Sequence, residues 1–251
     1  MNEVLSLVLA SMHADLARLD HAAMNLANAQ TVGYKREIGV RLPFAARVDL
    51  GAQHRLQGET GEAQAVHLAV HVDARGGTLK STGQPLDLAL AGPGWFEVQT
   101  AGGTAYTRQG NFRLDARGRL VTPEGDAVMG VGGEIVLVHG NPSIDASGRV
   151  FEGGAGAGAS PVAQLRIVQF DPAARIERLG DGLVLVHGEA IAAPEGSARV
   201  EQGFLENSNV SPAQEMVQLL QSVRHLETMQ KVATGYDEML ATSIRRLGEP
   251  S

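Results

Sequence analysis

Two histidines, His67 and His71, have the spacing of a metal site. On a helix, side chains four residues apart share one face and could bind a single ion. Here they alternate with Val66, Leu68 and Val70, a period-two pattern that predicts a strand. At about 3.3 Å per residue the two imidazoles stand roughly 13 Å apart on a strand, too far to share a metal. The sequence therefore predicts no metal site.

Carboxylates offer the next chemistry, because a pair of acids can hydrolyse a glycosidic bond. Glu97, Asp115 and Glu124 could supply such a pair, but their spacing singles out no two of them. The chain has no Gly-x-Ser-x-Gly context for a nucleophile. It also contains no cysteine, which excludes disulfides, thiolate metal sites and cysteine nucleophiles. We therefore expect no catalytic residue.

Two glycine-rich stretches, residues 130–136 and 153–160, resemble phosphate-binding loops in composition only. A phosphate-binding loop opens a helix, whose N-terminus receives the anion. Both stretches lead into strand-like sequence, so we interpret them as turns and expect no cofactor. The single tryptophan, Trp95, stands beside Phe96 and fits either a core anchor or a contact for a partner or a sugar.

The overall charge also limits the partners. A formal charge of -7 lacks the basic patch that binding to a phosphate backbone needs, so we expect no nucleic acid partner. No apolar stretch is long enough to span a bilayer, and the first residues lack the basic region of a cleaved signal. We expect neither an integral membrane protein nor a cleaved signal peptide.

The first segment has a heptad pattern, which predicts a helix of coiled-coil character. Asp15, Arg18 and Asp20 are assigned to its solvated face. A single amphipathic helix docked on its own domain is the alternative. The apolar seam of this helix comprises Leu5, Leu9, Met12, Leu16, Leu19 and Leu26.

The last segment repeats the pattern. Ser211, Pro212 and Gln214 have the order of an N-cap, a first-turn proline and a capping-box partner, so they predict a helix start. The apolar stripe then continues through Met216, Leu219, Val223, Leu226, Ala233 and Leu240. One helix pair buries too little to be stable alone, which indicates further helices from other copies.

Between the helices the pattern changes to strands and turns. Asp-x-x-Gly recurs at residues 73–76, 115–118 and 145–148, which predicts three hairpin turns. We therefore predict an α+β fold, with a mainly-β, hairpin-rich central domain between two coiled-coil helices. The predicted parts are an N-terminal helix and signature at 1–36, an extended linker at 37–64, a β-rich domain at 65–205 and a C-terminal helix at 206–251.

Residues 25–35, NLANAQTVGYK, closely resemble the N-terminal signature of bacterial flagellar rod and hook proteins. The matching residues are Asn25, Leu26, Asn28, Thr31, Gly33, Tyr34 and Lys35, with Tyr34 in place of the usual phenylalanine. Residues 83–96 and 105–112 resemble strand signatures of the same family. The family's closing element is matched by Leu205, Glu206, Ser208, Asn209 and Val210.

The resemblance implies a structural subunit of the basal-body rod that spans the periplasm. Its partners would be copies of itself, neighbouring rod proteins and the flagellar type III export apparatus. The helices would form an inner layer, with the β domain outside. Residues 94–99 and 128–135 look more like the proximal-rod type, and a distal-rod or hook-type subunit is the alternative.

The resemblance also implies that residues 25–35 present a polar, register-fixing surface to adjacent subunits. An ordinary helix C-cap is the alternative for this stretch. Two other function classes stay open. An exported β-rich protein that binds peptidoglycan or another carbohydrate would show a pocket with paired carboxylates or an exposed Trp95. A free-standing coiled-coil dimer would show a closed stoichiometry.

Overall fold

The computed structural model describes residues 2–40, 69–138, 141–152, 160–171, 174–188, 190–194 and 196–248. The histidine at 67, most of the predicted linker and most of the glycine-rich stretch at 153–160 lie outside these residues. His71 is described and is exposed.

Two helices flank a strand-rich centre within the described residues, which confirms the predicted α+β class in its coarse form. Helix α1 spans Asn2–Ala27 and helix α2 spans Pro212–Gly248. Proline is favoured in the first turn of a helix because its missing N–H has no partner there in any case. The coiled-coil character of both helices stays a prediction.

The chain folds into two compact units. The helix unit contains residues 2–27, 37–40, 69–71 and 211–248 of the described part. In it α1 and α2 pack against each other, and strand β1 (Glu37–Val40) pairs with β2 (Ala69–Val72). The β unit contains residues 28–36 and the described part of 72–210.

The β unit is built from short antiparallel strands. Their bounds are β3 Leu79–Ser81, β4 Leu88–Ala91, β5 Trp95–Thr100, β6 Gly103–Thr107, β7 Arg113–Leu114, β8 Leu120–Val121, β9 Ala127–Gly130, β10 Gly133–Glu134, β11 Ser143–Ile144, β12 Arg149–Phe151, β13 Ala163–Gln164, β14 Ile167–Phe170, β15 Arg175–Gly180, β16 Leu183–His187, β17 Ala190–Ala192, β18 Arg199–Gln202 and β19 Phe204–Glu206.

The largest sheet has the order β15-β16-β6-β5-β9-β8-β7, with β10 paired to β9, β14 to β5, and β17 to β14. Strands β11, β12 and β13 form a second sheet. Two further pairs join the beginning and the end of the unit, because β18 pairs with β4 and β19 pairs with β3. The last two strands of the β unit therefore pair with its first two, β4 and β3.

Strand β5 is buried on both faces and supplies two apolar clusters. Phe96 and Val98 belong to the main cluster, where Phe96 meets the Phe112 ring edge-on at 5.3 Å between centroids. Trp95 points the other way, as alternate residues of a strand do, and lies 5.9 Å from Phe170. Trp95 is only 4% exposed, so it is a core residue, and stacking on a sugar would require it to be uncovered.

Two of the three Asp-x-x-Gly turns close hairpins. Gly118 and Gly148 have φ values of 76° and 80°, which favour glycine, and they follow Asp115 and Asp145 in the turns β7-β8 and β11-β12. The hairpin predicted at residues 73–76 is wrong. That turn leads from β2 to β3, and these strands pair with β1 and β19, not with each other. An Asp-x-x-Gly turn therefore does not by itself determine whether the strands before and after it pair with each other.

Candidate assembly surface and signature segment

The most deeply buried side chains of α1 and α2 are not those of the predicted apolar seam. We call the contacting side the inner face of the helix pair. It carries the buried residues Val8, Ala14, Asp15, Ala22 and Asn25 from α1, and Glu215 and Ser222 from α2. Val8, Asp15 and Ala22 also repeat every seven residues. Each lies one residue before Leu9, Leu16 and Ala23, respectively, in the sequence. Val8, Asp15 and Ala22 form a second heptad row, and four of the seven buried side chains of the inner face are polar.

The apolar seam residues lie partly or largely exposed on the single chain. Leu9, Leu16 and Met216 are exposed. The structure describes no side chain for Leu5 or Leu240. The remaining seam residues are partly buried: Met12, Leu19, Leu26, Leu219, Val223, Leu226 and Ala233. Further exposed apolar side chains on the two helices are Met24, Val217, Leu220, Val232 and Met239. The helix pair therefore buries four polar side chains on its inner face and leaves many apolar side chains exposed.

Asp15 is the clearest case of this inversion. Its assignment to a solvated face is wrong, because its side chain is fully buried at 0% exposure. One carboxylate oxygen accepts a hydrogen bond from Arg18, one turn along α1, and the other contacts His225 Nδ1 on α2. A buried carboxylate needs such partners, since an uncompensated buried charge costs several kcal/mol.

Asn25 ends the inner face and ties α1 to β1. Its side-chain oxygen accepts from the Glu37 N–H at 2.9 Å, and its amide group donates to the Glu37 carbonyl at 2.9 Å. The same amide group donates to Glu215 Oε2 at 3.3 Å. Glu215 is buried in the first turn of α2, where the helix dipole favours a carboxylate. His21 Nδ1 also lies 3.1 Å from Glu37 Oε2.

The rest of the N-terminal signature belongs to the β unit, where residues 28–36 form what we call the strap. It opens with a turn in which Thr31 N–H donates to the Asn28 carbonyl at 3.1 Å. Gly33 follows with φ 68° and donates its N–H to the Glu206 carbonyl at 2.7 Å. A Cβ at Gly33 would stand 2.4 Å from the Arg108 carbonyl carbon, so only glycine fits.

Tyr34 and Lys35 are both buried in the strap. The Arg178 guanidinium lies 4.0 Å from the Tyr34 ring centroid, a cation–π distance, and donates to the Lys35 carbonyl at 2.6 Å. Arg178 is in β15, the edge strand of the largest sheet, so this side chain connects the strap to that edge.

A buried charge cluster holds the strap to the C-terminal signature. Lys35 Nζ donates to Glu206 Oε1 at 2.5 Å and to the Arg75 carbonyl at 2.8 Å. Arg108 donates to Glu206 Oε2 at 3.1 Å, and Gly77 N–H donates to Glu206 Oε1 at 2.7 Å. Burial lowers the pKa of Lys35 and of Arg108, and Glu206 opposes this shift in both. One carboxylate thus serves two buried cations.

The other C-terminal signature residues extend this contact. The Asn209 side chain accepts from Arg36 N–H at 2.7 Å and donates to the carbonyls of Asp73 at 2.9 Å and Arg75 at 3.0 Å. Leu205 lies in β19, Ser208 Oγ accepts from Val210 N–H at 3.2 Å, and Val210 is buried. The two signatures therefore bind each other inside one chain, a pairing that the sequence interpretation misses.

Comparisons with known proteins agree on one family. The model of the flagellar basal body rod FlgEFG protein C-terminal region matches residues 201–246, and that of the flagellar hook protein FlgE/F/G D1 domain matches residues 89–152. The rod protein FlgG of Bacillus subtilis is 32% identical over 254 residues, which cover 89% of this chain and 90% of that protein. The chain belongs to the flagellar basal-body rod protein family.

Relatives of two kinds match at similar identity. The rod protein FlgF of Mesorhizobium japonicum is 30% identical over 96% of this chain and 98% of its own length. FlgF of Salmonella typhimurium is 32% identical over 86% of both chains. The chain is thus a structural rod protein and not an enzyme. Within the described residues, neither helix has the length and apolarity needed to cross a membrane.

Proposed function

We propose that this protein is a rod subunit that polymerises through α1 and α2 with copies of itself and with neighbouring rod proteins, and that the polymer transmits torque. The exposed apolar side chains of the helix pair carry this proposal. Burying a leucine or methionine side chain contributes about 1.5 to 3 kcal/mol, so these helices gain most of their stability from neighbours. A shaft also needs many heterologous contacts and no turnover chemistry.

The distribution of exposed residues supports subunit contacts along the whole helix pair. Leu9 and Leu16 stand two turns apart on α1, and Met216, Val232 and Met239 spread along α2. Coiled-coil packing places residues with this spacing into holes of facing helices. The inner face is already occupied within the chain, so neighbours are left the apolar outer rows.

A matched pair of variants tests the proposal. Leu16 is 46% exposed on α1, and Leu179 is 52% exposed on β15, so Leu→Asp at either position introduces the same charge at a similarly open site. Leu16→Asp should abolish swimming and remove the protein from purified basal bodies, as immunoblots would show. Leu179→Asp should swim and assemble normally. Normal assembly of Leu16→Asp would contradict the proposal.

We further propose a position in the proximal rod, supported by the sequence stretches at 94–99 and 128–135. An in-frame deletion tests this position by electron microscopy of basal bodies. A proximal subunit carries everything beyond it, so its loss should remove the distal rod as well. A short rod that ends normally at its base would instead assign the chain to the distal rod.

We also propose that the chain leaves the cytoplasm through the flagellar type III apparatus without cleavage, which places it in the rod across the periplasm. The resemblance supports this route. Mass spectrometry of the protein from basal bodies should give the uncleaved N-terminus, and a strain without a working export apparatus should retain the protein in the cytoplasm. A shortened N-terminus would contradict it.

A further inference from the structure

The inner face holds two polar contacts between the helices at matching intervals. Asp15 meets His225, and Asn25 donates to Glu215. Asp15 and Asn25 are ten residues apart in α1, and Glu215 and His225 are ten residues apart in α2. Since a helix rises 1.5 Å per residue, both intervals are about 15 Å. The order reverses between the helices, so α1 and α2 run antiparallel in a single register that satisfies both contacts.

Apolar packing alone would not choose this register. The inner-face residues Val8, Asp15 and Ala22 repeat every seven residues, so the heptad repeat by itself also allows a register shifted by one heptad. A shift in one direction would place fully buried Asp15 level with Val232. A shift in the other direction would place Asn25 level with residue 208, before α2 begins at Pro212. Each shift breaks at least one polar contact.

We propose that Asp15 and Asn25 are specificity-determining residues, which make α1 choose the α2 of its own chain in one antiparallel register. A buried polar residue is known to fix register in coiled coils at a cost in stability. A parallel pair of two α1 helices from different copies would put one Asp15 against another, and this repulsion disfavours it. Asp15 and Asn25 thus select the partner helix within the chain, and the exposed apolar side chains remain for contacts with other chains.

This inference concerns the single chain and holds wherever the subunit stands in the rod. Because the chain has no cysteine, engineered disulfides can report the register directly. Ser11 of α1 is level with Met229 in the observed register, and with Ser222 or Tyr236 after a shift of one heptad. Three double-cysteine variants of the full chain therefore distinguish the registers: Ser11→Cys with Met229→Cys, with Ser222→Cys or with Tyr236→Cys.

In the otherwise unchanged chain at low concentration, we expect oxidation to cross-link 11 with 229 and to leave 222 and 236 at least tenfold less cross-linked. Adding Asp15→Leu and Asn25→Leu should raise cross-linking at 222 or 236 to within twofold of that at 229. The control Asp20→Leu changes an exposed acid of α1 and should keep the original pattern.

Two results would overturn the inference. The first is no cross-link between 11 and 229 in the unchanged background. The second is an unchanged pattern after both leucine substitutions, which would assign the register to apolar packing. Circular dichroism of each variant confirms that the helices are present. If the double leucine variant loses helix content, the single variants Asp15→Leu and Asn25→Leu replace it, and each should raise cross-linking at 222 or 236 above that of the Asp20→Leu control.

Discussion

Glu206 and Lys35 form an ion pair with 2.5 Å between Oε1 and Nζ, although 171 residues separate them in the chain. Both side chains are almost fully buried, and Arg108 shares the carboxylate from the other side. The β unit is therefore closed by residues from the two ends of the central region. The strap and β19 are parts of one core.

Glu206→Gln should strongly destabilise the β unit, because it leaves two buried cations without an anion. Breaking a buried ion pair from one side costs about 3 to 5 kcal/mol. Urea denaturation of the full chain, followed by Trp95 fluorescence, measures the loss. Adding Lys35→Met to this variant removes one of the stranded cations and should recover at least a third of the lost stability. A double variant no more stable than Glu206→Gln would show that charge is not the cause.

Gly33→Ala should destabilise the β unit by more than left-handed backbone strain alone, which costs about 1 to 2 kcal/mol. The added Cβ would stand 2.4 Å from backbone atoms of Arg108 and Gln109. Gly83 is the matched control, because its φ of 69° is almost the same and a Cβ added there would have no atom within 4 Å. Gly83→Ala should show the backbone strain alone. Equal losses of stability at both positions would show that the close contact of the added Cβ with Arg108 and Gln109 is not the cause.

The turn at Asp145 should contribute stability that depends on pH. Burial raises its pKa, but hydrogen bonds from Ser147 and Arg149 lower it more, from 3.8 to about 2. A lowered pKa stabilises the fold above pH 3.8, and this contribution is lost as the pH falls towards 2. Asp145→Asn should thus cost up to about 2 kcal/mol at pH 7, less any solvent screening.

Near pH 2 about half of the Asp145 carboxyls are still ionised in the folded chain, so the loss of stability in the same variant should be much smaller than at pH 7. Denaturant titrations of both proteins at pH 7 and pH 2 check this. A loss of equal size at both pH values would assign the effect to the shape of the side chain instead of its charge.

A fragment of residues 28–210 should fold, whereas residues 65–205 alone should not. The shorter piece lacks the strap, Glu206 and Asn209, and so loses the charge cluster and the bridge from Asn209 to Asp73 and Arg75. Amide exchange in β5, β6 and β9 of the purified fragments measures the difference. Equal protection in both fragments would show that the core closes without the signatures.

Local pattern is enough to predict the helices and two of the hairpins. Heptad spacing and the Ser211-Pro212 start predict α1 and α2, and Asp-x-x-Gly predicts the turns after β7 and β11. The inner face cannot be predicted in this way, because a heptad pattern is recognised from apolar residues only. Without knowledge of its partner His225, Asp15 has the appearance of a surface acid. The contact of Lys35 with Glu206 has no local signal at all, since its partners lie at opposite ends of the central region.

The strap also has a mechanical meaning. Ala27, the last residue of α1, continues directly into Asn28 at the start of the strap. A force applied along α1 therefore reaches Gly33, Tyr34 and Lys35 within a few residues. Gly33 is held by a backbone hydrogen bond to β19, Tyr34 by the Arg178 guanidinium of β15, and Lys35 by the buried Glu206 carboxylate. The strap is held to the edge of the largest sheet through Arg178 and to the buried carboxylate of Glu206, so a load that arrives at Asn28 is spread over several strands of the β unit.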